Sequence, residues 1–366
     1  MNKAEKYLRY IIPSTLFGTH RTKEILTSNP ITNTKRVDAN DVAISVHDYD
    51  PATLNYHQLN SVAESFSFKN NSRNTWINID GLRKADVEAI ATHFDIHILI
   101  AEDILSTSQR PKMDEVDEIL YCLLNMLYYN EAKETVEQEQ VSIILGRDFV
   151  ITFQEDAHRD VFNPIRERMK ITNSKLRQLN TDYLLYTMLD LIVDNYFFVM
   201  EKLGDRIERV EEEIIRNSNK RSLARINAVR KELIILKRNI APVRDLVGGL
   251  IRSESELLNE KSMKYFKDIH DHIIQAHDLS ENYRDIMISM QDLYINNVNL
   301  RMNEVMKVMA IVTCILAPAT VIGGIFGMNF DVIPTAHNQW GFYIAVGLML
   351  FIPVVMLWMF KKRGWF

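Results

Sequence analysis

From Val308 to Phe360 the chain has no lysine and no arginine, and Asp331 is its single acid. So long a stretch without charge excludes an ordinary soluble helix pair. Cysteine is almost missing. Cys122 and Cys314 stand far apart, which argues against a disulfide framework or a thiolate metal site and suits a reducing interior. Only twelve of the 366 residues are glycine and no G-x-x-x-x-G-K-[ST] run occurs, so a nucleotide-binding loop is not expected. Positive charge is in deficit, with 43 Lys and Arg against 48 acids and a net charge of −5, and nucleic acid is therefore not expected as a partner. The opening MNKAEKYLRYIIPSTLFG lacks the unbroken apolar core of a secretory signal, and the N-terminal body is expected in the cytoplasm. No nucleophile–base or metalloenzyme signature is present, and an enzyme is not expected.

What is there divides unevenly. Residues 1–307 hold 47 of the 48 acids and 40 of the 43 bases, a body of charge −7 that is compatible with cations. The remaining bases, Lys361, Lys362 and Arg363, follow the last apolar residue. Two apolar runs lie between, Val308–Phe326 with 19 residues and Trp340–Phe360 with 21. About 20 such residues span a bilayer, and Pro318 and Pro353 are tolerated there. Arg301 and Lys307 precede the first run, and the hairpin at 327–339 has neither Lys nor Arg. The positive-inside rule then places both ends in the cytoplasm and the hairpin outside, with Trp340, Tyr343, Trp358 and Trp365 near the interfaces.

Residues 1–160 read as a cytoplasmic α/β domain. AISVHDYD, TWINID, ILYCLLNMLYY, VSIIL and DFVITFQ have strand composition, and KADVEAIATHFDI has helical periodicity. AEDILSTSQRPK lies between strands. Residues 161–261 change to long helices, a cytoplasmic helical hairpin region. Its acidic stretch Glu201–Ile215, six acids against three bases, is either a solvated face or a concentrator of cations.

From Ser262 no proline or glycine occurs until Pro318, which predicts one stalk helix over 262–326 running into the first membrane span. About 65 residues at ~1.5 Å each would reach on the order of 100 Å, a rod that needs copies of itself for support. Alternating steps of four and three along it pass through Asp292, Asn296, Asn299, Asn303, Met306, Ala310, Thr313, Ala317, Thr320 and Gly324. This is the 3.5-residue repeat of a supercoiled seam, yet apart from Met306 it is polar or small where a closed coiled coil would be Leu, Ile or Val. A ring of such helices would enclose a wet lumen. The competing reading is close helix packing, for which Gly323-x-x-x-Gly327 is a GxxxG pattern.

The hairpin opens with Gly327, Met328 and Asn329 in FGMNF, between the two spans and ahead of a basic C terminus. A glycine there also serves simply to end a helix. With NEVMKVMAIVTCILAPATVIGGIFGMNF, QRPK (Gln109–Lys112), NPIRER, DYLLY and KKRGWF, this arrangement resembles the CorA family of divalent-cation transport proteins from about residue 95 onward. The resemblance implies a homopentameric funnel in the cell membrane: an α+β cytoplasmic domain, the long stalk helix, transmembrane helices ending at 326 and spanning 340–360, and a cytoplasmic tail at 361–366. It implies uptake of Mg2+, with Co2+ and sometimes Ni2+ as related substrates. Gly327, Met328 and Asn329 would form the selectivity filter, and the seam residues would line the pore.

Five Asn329 carbonyl oxygens would accept hydrogen bonds from the water shell of a reluctantly dehydrating ion. Met306 and its neighbour Met309 would either pack or form a dewetting gate. The resemblance also implies a regulatory Mg2+ site between subunits, matching Asp103 and Asp268, with Glu102, Asp190 and His272 beside them. Read without it, Asp103 and Asp268 are surface acids or helix caps. His270, Asp271 and His272 lack the spacing of a zinc helix. The rival readings are a Co2+ or Zn2+ carrier on the same fold and a membrane-tethered coiled-coil sensor or scaffold.

Overall fold

The computed structural model describes residues 38–106, 109–216, 218–328, 333, 338 and 340–364. They fall into two compact units, Met1–Glu213 with Lys220–Met290 and Ile214–Asn219 with Gln291–Phe366.

The first unit is built on a seven-stranded sheet. Its strands are β1 (Ala43–Tyr49), β2 (Leu54–Leu59), β3 (Asn74–Asp80), β4 (Lys112–Val116), β5 (Ile119–Asn130), β6 (Thr135–Leu145) and β7 (Phe149–Gln154), in spatial order β2-β1-β3-β7-β6-β5-β4. The β3–β7 pair is parallel and the others are antiparallel. Alternation decides the faces. Ile44, Val46, Ile77, Ile79, Ile151 and Phe153 join one apolar core with α1 (Lys84–His93), α2 (Ile98–Leu105) and a 3-10 turn at Val62–Phe68. Gly81, at φ +93°, makes the turn from β3 toward α1; a Cβ there would lie 2.3 Å from the Asp41 carbonyl oxygen.

The opposite sheet face is polar at β3 and β7. Trp76 Nε1 donates to Thr152 Oγ1 at 2.9 Å, Thr152 donates to Asn78 Oδ1 at 2.6 Å, and Asn78 donates to Asp80 at 2.7 Å. The register aligns Asn78 with Thr152 and Asp80 with Gln154, whose amide also donates to Asp80. Short helices α3 (Asn163–Lys170) and α4 (Lys175–Gln178) follow β7, and α3 brings Arg166 onto Asp160 and over the Trp76 ring. The long helices α5 (Thr181–Arg216) and α6 (Lys220–Arg252) meet β5 through Tyr196, whose hydroxyl donates to the Asn125 carbonyl at 2.7 Å, and through Asn239, which accepts from Asn125 at 2.8 Å. These two buried bonds fix the helices on the sheet at low dielectric.

The acidic stretch of α5 is partly paired: Lys202 with Glu131, Arg206 and Arg209 with Glu134, and Arg225 with Glu213. α7 (Met263–Phe326) continues from the first unit into the second, where α8 (Gly341–Lys362) is the other long element. α5, α7 and α8 are all long and apolar enough to cross a membrane, but 56% of the apolar window of α5 is buried within the protein, against 6% for each of the other two. The strands β2 and β4 are sheet edges that the sequence alone does not announce, because LNYHQL and KMDEV are largely polar.

Candidate ion pathway and cation sites

In the second unit, α7 meets α8 along one stripe. Ile311 is buried, Ile315, Pro318 and Ile322 are half-buried, and Pro318 and Ile322 share an apolar groove with Ile352 and Met356. Cys314, Ala317 and Val321 border the same groove. At ~100° per residue, the seam of Met306, Ala310, Thr313, Thr320 and Gly324 therefore lies roughly 90° around the helix from the centre of the groove and about 150° from the buried stripe. All ten seam positions from Asp292 to Gly324 are exposed, Ala317 also bordering the groove. Met306 and Met309 are each 62% exposed.

The two threonines are oriented by their own helix. Thr313 Oγ1 donates to the Met309 carbonyl at 2.9 Å and Thr320 Oγ1 to the Leu316 carbonyl at 3.0 Å. Each hydroxyl hydrogen is thus turned inward, leaving the oxygen lone pairs as acceptors. Acceptors are the polarity that the water shell of a hydrated cation requires, because its waters point hydrogens outward. The glycines are not used for close approach to α8. A Cβ at Gly324 would meet nothing within 4 Å, and one at Gly323 would make an ordinary 3.6 Å contact with Met349. The Gly327 amide donates to the Gly323 carbonyl at 3.0 Å and Met328 to Ile325 at 3.3 Å, closing the last turn. Asn329 and most of the following connection lie outside the described residues, as does Trp365.

In the first unit the four acids and one histidine of the expected regulatory site separate into two groups. Asp190 and Asp194, four apart on α5, meet His272 of α7 with ligand atoms within 4.8 Å of one another. Asp194 was not among the expected residues. Burial and the Asp194 charge raise the Asp190 carboxyl above its ordinary range, against the opposing pull of His272 and Arg168. Asp268, exposed and one turn before His272, adds to that same field. Two carboxylates and an imidazole make a mixed oxygen and nitrogen set that suits a transition ion such as Co2+ better than Mg2+, which the carboxylates alone would hold; either ion would remove the repulsion that the empty cluster carries. His270 does not join the group, which leaves the zinc-helix reading without support.

Asp103 sits elsewhere, in the last turn of α2. Its Oδ1 accepts from Gln109 Nε2 at 2.7 Å and its Oδ2 from Lys112 Nζ at 2.5 Å, so it is neither a helix cap nor a bare surface acid. Glu102 beside it is exposed.

The family model for the CorA-like Mg2+ transporter protein matches residues 71–362. The chain belongs to the CorA family. A cobalt/magnesium transport protein CorA of Thermotoga maritima is 36% identical over 326 residues, covering 89% of this chain and 93% of that protein. Among solved structures, the complete CorA magnesium transporter of Methanocaldococcus jannaschii aligns with a TM-score of 0.72 at 22% identity, over 88% of this chain and 98% of its own. The full-length CmaX protein aligns at 0.66 and 18% identity, over 90% and all of its chain. These two likenesses establish the shared fold: an α/β soluble unit, a long helix and apolar C-terminal helices of membrane-spanning character. CorA is a transporter family, not an enzyme family.

Proposed function

We propose that this chain is the subunit of a homopentameric channel in the cell membrane that takes up hydrated Mg2+, with Co2+ as a related substrate, and closes when cytoplasmic Mg2+ is high. The observation that carries the reading is the exposed seam of α7. It is polar or small except at Met306, every position of it is exposed, only Ala317 borders the groove with α8, and in sequence it leads to Gly327, Met328 and Asn329. A lipid-facing stripe would be apolar, and a scaffold would want an apolar seam.

In this reading α7 and α8 span the bilayer with both termini in the cytoplasm, and α5 remains in the soluble layer. Five Asn329 side chains recognise the ion's water shell. Thr320, Thr313, Asn303, Asn299 and Asn296 pass it inward by further water-mediated contacts, with Ala317 and Ala310 as spacers. Met306 and Met309 form the apolar constriction that dewets when closed. Asp292 draws the ion to the inner exit. Neutral acceptors bind a divalent ion weakly enough to release it, and the membrane potential supplies ~2.3 kcal/mol per charge per 100 mV. No nucleotide is required.

Regulation rests on carboxylates that repel when empty. Asp103 shares a cation with Asp268 of the partner subunit, supported by Glu102, while Asp190, Asp194 and His272 hold a second ion within one chain. Filled sites favour the closed ring. The test is Asn329→Ala in a Mg2+-transport-deficient strain and in liposomes loaded with a Mg2+-sensitive dye. Loss of uptake with the pentamer intact is expected; full uptake rejects the filter assignment, and a protein that conducts nothing even unmutated returns the scaffold reading.

A further inference from the structure

The carboxylate of Asp103 already has a cation, and it belongs to the same chain. Lys112, the first residue of β4, places its ammonium 2.5 Å from Asp103 Oδ2 and 2.8 Å from Asp114 Oδ2. Lys112 and Asp114 are two apart on one strand, so both side chains leave the same face of the sheet. From the other side Gln109 holds Asp103 Oδ1. The backbone beneath is fixed as well: buried Gln140 donates to the carbonyl oxygens of both Asp103 and Ile104 at 3.2 Å. These two bonds hold the backbone of the last turn of α2 in place, with its acid beside the lysine. An acid at a helix C terminus opposes the helix dipole, which makes a neighbouring cation especially favourable there.

The geometry points to Lys112 as a built-in competitor for the divalent cation at Asp103. The inference rests on the reading of Asp103 as a regulatory ligand. A divalent ion entering from solvent must displace the ammonium from Oδ2, and Asp114 retains the lysine when it leaves. The ion-free state is thus partly neutralised by the chain itself, and the Mg2+ concentration at which the site fills is set by an exchange of one cation for another. Removing Lys112 leaves the ion no cation to displace from Oδ2, with only the neutral Gln109 amide on Oδ1, so the site fills at lower concentration. Ligand affinity reduced by a competing state scales with the fraction of the site that is free.

The experiment uses the full-length protein in detergent with Mg2+ as the probe. It reads the Mg2+ midpoint of thermal stabilisation and of protection from chymotrypsin. Lys112→Met is expected to lower the midpoint by about threefold or more, in keeping with the modest strength of a half-exposed ion pair. Lys112→Arg should stay close to the wild-type value. Arg110→Met, the same change of charge at an exposed neighbour, should shift it less than twofold. Lys112→Gln serves if the methionine variant does not fold. Equal shifts for the Lys112 and Arg110 variants, or no shift for Lys112, overturn the competitor. Asp103→Asn separates the two ideas: if it raises the midpoint while Lys112→Met leaves it alone, only the competitor falls, and if it too has no effect, the Asp103 assignment falls first.

Discussion

Asn297 of α7 binds the end of α5. Its Nδ2 donates to the Ile214 carbonyl and to Ser218 Oγ, each at 3.1 Å, and Arg301 one turn on donates to the Ser218 carbonyl at 3.3 Å. The last carbonyls of a helix have no partner within it, and a cationic side chain there also suits the dipole. The end of α5 is therefore capped by α7. Asn297→Ala removes two hydrogen bonds, a loss of about 1 kcal/mol. Amide exchange over Glu211–Arg216 should then quicken about fivefold in hydrogen-exchange mass spectrometry of the intact protein. Unchanged exchange in that segment would show that the cap contributes nothing.

A second prediction concerns pH. Asp80 is buried on the polar face of the sheet, and burial with the nearby Asp160 charge raises its carboxyl to about 7, against the pull of Arg166. Its folded pKa lies above its unfolded one, so the folded state holds the proton more tightly. Stability from this group is complete below about pH 4 and is lost as pH rises toward 7. His47 works the other way: burial, aided by Arg166, lowers it to about 4, so its contribution is present above its unfolded value near 6.5 and lost as pH falls through 4. Between 4 and 6.5 the two slopes oppose. Asp80→Asn keeps the shape without the charge, so its stability relative to wild type should climb steadily between pH 4 and 7 in urea titrations. A flat difference across that window would rule out Asp80 as the titrating group.

How far the sequence could be read follows the same physics. Interior strands such as Ile119–Asn130 and Phe149–Gln154 announce themselves because both faces are covered and their residues are correspondingly apolar or β-branched. The edge strands β2, mostly exposed, and β4, mostly half-buried, are largely polar and carry no such signal. α5 is also long and apolar enough to cross a membrane, but its mean hydropathy of 1.2, against 2.2 and 2.3, and its burial in the first unit distinguish it from α7 and α8. The seam was legible because a 3.5-residue repeat is a property of one helix alone. The Asp190–Asp194–His272 group was only partly legible, since it joins α5 to a residue 78 positions beyond Asp194. Lys112 was hidden for the same reason: a charge nine residues from Asp103 becomes its partner only when α2 turns back into β4.

Asp194 supplies a third prediction. Without a cation, its charge and that of Asp190 face each other one turn apart on α5. Asp194→Asn relieves that repulsion and removes one ligand. The variant should melt at or above the wild-type temperature in chelator, yet gain less from added Mg2+ or Co2+. A full metal-dependent increase in Tm would exclude Asp194 from the site.

The last prediction is for the proposed pore. Thr320 turns its hydroxyl hydrogen into its own helix, so only the oxygen lone pairs are offered outward. Valine copies the shape of threonine but offers no acceptor, whereas serine keeps the oxygen. If a hydrated cation passes this position, Thr320→Val should lower Mg2+ flux into liposomes about tenfold, the scale of one lost charge-assisted hydrogen bond. Thr320→Ser should keep most of it, and both variants should assemble as wild type. The pairing separates chemistry from packing: a side chain that merely fills space between helices would tolerate valine better than serine. Flux that survives in the valine variant and fails in the serine one would move Thr320 from the lumen to a helix–helix contact, and with it the face of α7 that meets the ion.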